Sequence, residues 1–192
     1  MTLTTVAAFA ALLLAALGAP ARAQAPIEYK VLATSKTSTL EKEMNEAAAS
    51  GYVFGAVMGG ETAFGGSEGV VVMQKGTGEG TREYRVFATN RTSTMQKELA
   101  AAAAQGFEYV GQTVFESLFG GNEVVVIAER DPAAPAGMRH EYLLVATSKT
   151  STLQKELTEV GTQGFEVVGM TVGKTALGGA ELVAITRRSL ER

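Results

Sequence analysis

The chain repeats itself three times, and no other feature limits its fold as strongly. Glu28-Tyr29-Lys30, Glu83-Tyr84-Arg85 and Glu141-Tyr142-Leu143 open three similar stretches whose tyrosines stand 55 and 58 residues apart. A period of that size marks a supersecondary unit repeated in tandem. The copies run over 27–75, 82–130 and 140–188, separated by connectors at 76–81 and 131–137 that are rich in Gly, Pro and Ala and lack apolar periodicity. A unit of about 50 residues buries too little surface to be stable alone unless something staples it. With no cysteine in the chain there is no disulfide to do so, so the copies are expected to pack on one another.

Each copy has the same internal order. Alternating Tyr29, Val31 and Ala33 (Tyr84, Val86, Ala88; Tyr142, Leu144, Ala146) give the period-two signal of a strand. Ser38-x-x-Glu41, Ser93-x-x-Gln96 and Ser151-x-x-Gln154 read as capping boxes opening a helix. Leu40, Met44, Ala47 and Ala48 then form one apolar helix stripe, which Gly51, Gly106 and Gly164 end. A second strand follows at 52–58, 107–114 and 165–172. After a polar turn holding Gly65-Gly66, Gly120-Gly121 or Gly178-Gly179 comes a third, apolar strand at 70–73, 124–128 and 182–186. The unit is β-α-β-β.

The opening Glu-Tyr strand, the helix with Leu-x-Lys-Glu-Leu, the Gly-Phe-Glu of 106–108 and 164–166, and a last strand ending in basic residues resemble a small bacterial domain family of unknown function. In that family the position of Phe107 and Phe165 is often Trp; here it holds Tyr52, Phe107 and Phe165. The resemblance covers every repeat and implies a β-α-β-β fold without implying an activity.

A helix of about 13 residues is a natural crossover, so the first two strands of a unit are expected to run parallel. The third strand, arriving by a hairpin, is expected to insert antiparallel between them. Leu32, Phe87, Leu143 and Val145 lie on the face opposite the alternating set, and Val70-Val71-Val72-Met73 is apolar on both faces. A strand apolar on both faces needs two covers: the unit's own helix and a neighbouring repeat or another chain. The fold expected is α+β, with mixed or antiparallel sheets and one helix per repeat. The three β-α-β-β copies are expected to pack with pseudo-threefold symmetry, either as a barrel-like closure of nine strands or as sheets face to face.

Composition narrows the function. Residues 6–17 form an uncharged apolar run, followed by Gly18, Pro20 and Ala21-Arg22-Ala23. This is the pattern of a signal peptide over 1–23 with cleavage near Ala23, and the run is too short to span a bilayer, which takes about 20 residues. The product is expected in the periplasm or outside the cell, without stable membrane insertion. Removing 1–23 leaves 16 basic against 20 acidic side chains, a mild balance that argues against nucleic acid as a partner. With no Cys, one His and one Asp in the chain, thiolate, zinc-finger and triad chemistry have few residues to use. No enzyme and no cofactor or metal is expected. His140 reads as a strand-start or linker side chain. Glu61, Glu116 and Lys174 do not keep one charge across the copies, whereas Glu68, Glu123 and Glu181 do and read as edge charge.

The copies agree best between the first strand and the helix, where 33–44, 88–99 and 146–157 share seven of twelve positions. The topology brings this loop to the same sheet edge as the Gly-Gly turn. Thr34, Lys36, Thr37 and Ser38, with Thr89, Arg91, Thr92 and Ser93, and Thr147, Lys149, Thr150 and Ser151, are therefore the candidate ligand-binding residues. Helix N-terminal amides, close-approach glycines and a cation suit a small anionic ligand or a glycan. Recurrent caps and strand-end threonines explain the same residues structurally. Two functions follow as expectations: a small-ligand or glycan binding protein, or a structural or interaction module whose partner is an envelope protein or a further copy of the chain.

Overall fold

A computed structural model of the chain describes residues 26–62, 66–76, 80–116, 122–135, 137–174 and 179–190. The expected signal peptide lies outside these. Unit 1 comprises β1 (Tyr29–Thr34), α1 (Thr37–Ala49), β2 (Tyr52–Thr62) and β3 (Gly66–Lys75). Unit 2 comprises β4 (Glu83–Thr89), α2 (Thr92–Ala104), β5 (Glu108–Glu116) and β6 (Asn122–Arg130), and unit 3 β7 (His140–Thr147), α3 (Thr150–Gly161), β8 (Glu166–Lys174) and β9 (Ala180–Ser189). Over the described residues the protein is α+β, with three antiparallel three-stranded sheets and one helix to each. Strand orders are β1-β3-β2, β4-β6-β5 and β7-β9-β8. Among the described residues no helix is long and apolar enough to cross a membrane.

Gly51, Gly106 and Gly164 follow the helices at φ of 80°, 82° and 83°, where a side chain would strain the backbone. The hairpin arms extend past the apolar segments, because Gly59, Gly60, Glu61 and Thr62 continue the pairing with Gly69, Glu68, Ser67 and Gly66. Each second strand carries a bulge at the same place, between Phe54 and Ala56, Tyr109 and Gly111, and Val167 and Gly169. A bulge bends the strand and re-aims the side chains beside it.

The cores lie between units. Leu40, Met44, Ala47 and Ala48 of α1 are the buried stripe read from the sequence. They meet Leu32, Val71 and Met73 of their own sheet on one side and Tyr84, Val86, Val125 and Ile127 of unit 2 on the other. One joint later, Met95, Leu99 and Ala103 of α2 meet Val124 and Val126 of their own sheet, and Tyr142 and Ile185 of unit 3. Among the described residues the third helix packs on its own sheet, through Leu153 and Val160 against Val145, Phe165 and Ala184. The packing is therefore serial: α1 on β4 and β2 on β5, then α2 on β7 and β5 on β8.

This corrects the nine-stranded closure. The nine described strands make three separate sheets, because the free edges of β4 and β7 are occupied by helix side chains where another strand would have to pair. Asn45 donates to the Tyr84 carbonyl at 3.0 Å and accepts from the Tyr84 amide at 2.9 Å, and Glu41 Oε2 accepts from the Val86 amide at 2.8 Å. Gln96 donates to the Tyr142 carbonyl at 2.9 Å, and its Oε1 accepts from the Leu144 amide at 2.8 Å. Nor does unit 3 use this joint to close on unit 1, since Tyr29 and Val31 stay 58% and 62% exposed.

Candidate functional site

The strand-to-helix loop is built alike in all three units. Thr34, Thr89 and Thr147 end their strands, and their Oγ1 atoms accept from the backbone N–H of Lys36, Arg91 and Lys149 at 3.2, 3.1 and 3.3 Å. Each threonine thus turns the chain into its helix, the local hydroxyl turn that competes with regular structure at such ends. Thr89 is also buried. The N-cap itself is the basic residue, with extended backbone at Lys36, Arg91 and Lys149 and no side-chain cap bond.

The capping boxes are therefore not what the Ser-x-x-Glu/Gln spacing encodes. The helices start two residues earlier than that reading requires, at Thr37, Thr92 and Thr150. Ser38, Ser93 and Ser151 sit inside the first turn and are exposed, while Glu41 and Gln96 bond the next unit. A glutamate or glutamine recurs here because its side chain can satisfy the main-chain groups of a neighbouring strand edge, which burial would otherwise leave unpaired.

The structure brings the candidate residues together within each unit, around one helix N-terminus, and leaves the three basic side chains exposed. Their surroundings differ between units. The Thr92 hydroxyl donates to the Glu181 carboxylate of unit 3, so one recurrent acid and one recurrent threonine join two units. The Gly-Gly half of the expected edge lies mostly outside the described residues: Gly65, Gly120, Gly121 and Gly178 are not among them.

A second cationic pattern sits at the opposite helix ends. Lys75 Nζ donates to the Ser50 carbonyl at 2.6 Å, and Arg130 and Arg188 donate to the Gln105 and Gln163 carbonyls at 3.1 and 3.2 Å. The same residues lie over the rings of Tyr52, Phe107 and Phe165, at 4.9, 4.8 and 4.6 Å from the centroids. The basic end of each third strand thus caps a helix C-terminus, where a cation is favourable, and stacks on an aromatic ring.

Two clefts lie at this end of unit 2, on the connector to unit 3, with Arg82, Glu108, Glu129, Arg130, Asp131 and Arg139 in their lining. The sequence reads 131–137 of this lining as linker. Arg82 pairs with Asp131 at 2.8 Å and Arg139 with Glu108 at 3.3 Å, and His140 Nδ1 stands 3.7 Å from the same Glu108. Burial pushes the Glu129 carboxyl up, opposed by the Tyr84 hydroxyl and Arg82. Acids and bases here compensate one another, and the network ties the connector to both units it joins. The signal in the sequence was the clustering of Arg82, Arg130, Asp131, Arg139 and His140 around a Pro-rich segment.

Among the described residues no three metal-ligating side chains gather. Comparison of the chain with family models, curated proteins and solved structures finds no match.

Proposed function

We propose that this is an exported, non-enzymatic repeat protein that serves as a structural or interaction module of the bacterial envelope. The observation that supports this reading is the state of the array's two ends. The first-strand face that is covered in units 2 and 3 is open in unit 1, and the helix face that is covered in units 1 and 2 is open in unit 3. Open apolar faces of this kind mark protein contacts. To test it, a photo-cross-linking residue is placed at position 31 or 167 of the protein in the exporting cell. A protein adduct from either position is the expected outcome; none from either would sink the reading. N-terminal sequencing of the exported product, with Gln24 expected first, tests the export step.

A second reading, binding of small anions or glycans at the loop edges, draws support from the sign of the N-cap charge. All three helices carry a cation at the N-terminus and no acid in the first turn. A cation there opposes the helix dipole at a cost of about 0.3–1 kcal/mol, and a bound anion would offset it. Replacing Lys36, Arg91 and Lys149 together by Ala is expected to abolish binding of inorganic sulfate or phosphate while leaving the fold intact. Unchanged binding in that triple variant contradicts this second reading.

A further inference from the structure

We infer that the chain docks head to tail on a second copy of itself, unit 3 of one copy taking unit 1 of the next through the joint already used twice within the chain. This rests on the interaction reading above and names the partner.

The internal joints give the template. Tyr84 and Val86 are 3% and 9% exposed because α1 covers them, whereas their counterparts Tyr29 and Val31 are 58% and 62% exposed. At the other end Met44 and Leu99 are fully buried, while their counterpart Leu157 is partly exposed and Val167 is 48% exposed. Each open face is thus one half of a joint whose complete form occurs in the same molecule.

The polar groups match as well. Gln96 makes its two bonds to the main chain of Tyr142 and Leu144; Gln154 holds the same place on α3 and is exposed. It offers an identical amide to the Tyr29 carbonyl and the Val31 amide, which lie at the same register of β1. The Tyr84 hydroxyl accepts from the Phe54 amide and the Tyr142 hydroxyl from the Tyr109 amide, both at 2.8 Å. In the docked pair the Tyr29 hydroxyl accepts from the Val167 amide.

Steric fit separates this partner from others. In the internal joints a large ring seats on a glycine: a Cβ at Gly111 would stand 2.8 Å from Phe54 Cζ, and one at Gly169 would overlap the Tyr109 hydroxyl. In the docked pair the ring is replaced by Val167 and the glycine by Ala56, which is exposed in the single chain. The smaller knob meets the larger floor, so the summed volume that close packing requires is kept. Within one chain this compensation relieves no clash, because Val167 and Ala56 belong to opposite ends. A head-to-tail contact of this kind generates a ring if the rotation closes and a filament if it does not.

The test is the mass in solution of the chain from Gln24, which contains every described element, against protein concentration. The native sequence is expected to grow in mass with concentration, and Val31→Lys and Val167→Arg, each at an exposed position, to remain single chains with unchanged unfolding midpoints. An equimolar mixture of the two variants is expected to stop at two chains, because each keeps the face the other lacks. A native protein that stays a single chain up to about 1 mM, the concentration where binding is worth only ~4 kcal/mol, overturns self-docking. So does an association that neither variant alters. A cross-link from position 31 to a different protein, with the native chain single, removes self-docking and leaves the interaction module standing; no cross-link and no association removes both.

Discussion

Tyr29 and Tyr84 open successive units at the same register, with the same alternating neighbours, yet one is 58% exposed and the other 3%. Nothing in the strands themselves makes this difference. It comes from what precedes them: α1 lies over β4, and no described element lies over β1 in the same way. The comparison teaches that a unit here is completed by its predecessor, and that its own helix is the cover it gives to the next. That is the nearest-neighbour logic of stacked repeats, in which terminal units are incomplete unless something caps them.

The largest break in the comparison should come from the helix core. Leu99→Ala removes a fully buried side chain and is expected to cost about 2–5 kcal/mol in denaturant unfolding. Leu157→Ala, at the same helix position in unit 3, should cost less than half of that in dilute protein. Equal losses would mean that the tail of the array is covered after all. Next in size is the seat under the aromatic knob. Gly111→Val is expected to lose roughly 1–3 kcal/mol by overpacking against Phe54, whereas Gly60→Val, with nothing within 4 Å of its Cβ, should be neutral or slightly stabilising.

Smaller effects sharpen the polar part of the joint. Gln96→Ala leaves the Leu144 amide and Tyr142 carbonyl without their partner and is expected to cost about 1–3 kcal/mol; Gln154→Ala should leave the single chain unchanged. Tyr84, Tyr109 and Tyr142 all sit at joints, and burial is the first cause raising each of their hydroxyls, Tyr109 from 10.0 to about 12. A folded value above the unfolded one means the stabilisation is complete below pH 10 and is lost as pH rises toward 12. Unfolding midpoints should therefore fall over that window, together with the appearance of tyrosinate absorbance.

Much of each unit was legible because it depends on local signals. The stripe of Leu40, Met44, Ala47 and Ala48, the stop at Gly51, and the need for two covers on 70–73 all follow from periodicity and backbone freedom. What the spacing misassigned is instructive. Ser38 and Glu41 have the separation of a capping box, but Thr34 turns the chain early enough that the helix starts at Thr37, which frees Glu41 to reach Val86 in the next unit. No window of a single copy carries that contact, since it spans 45 residues of sequence. The matched sizes of Phe54 with Gly111 and Tyr109 with Gly169 were equally invisible, because each pair joins different copies. Of the candidate residues, Thr34, Thr89 and Thr147 act as turn formers, a local role that explains their recurrence at the strand ends.

Amide hydrogen exchange at three equivalent positions tests the serial joint most directly. The Val86 and Leu144 amides donate to Glu41 and Gln96 at 2.8 Å and should be strongly protected, while the Val31 amide should exchange rapidly in dilute protein and slow as concentration rises. If Val31 is as protected as Val86 in a dilute single chain, or if all three exchange alike, units are not completed by their predecessors and the account fails.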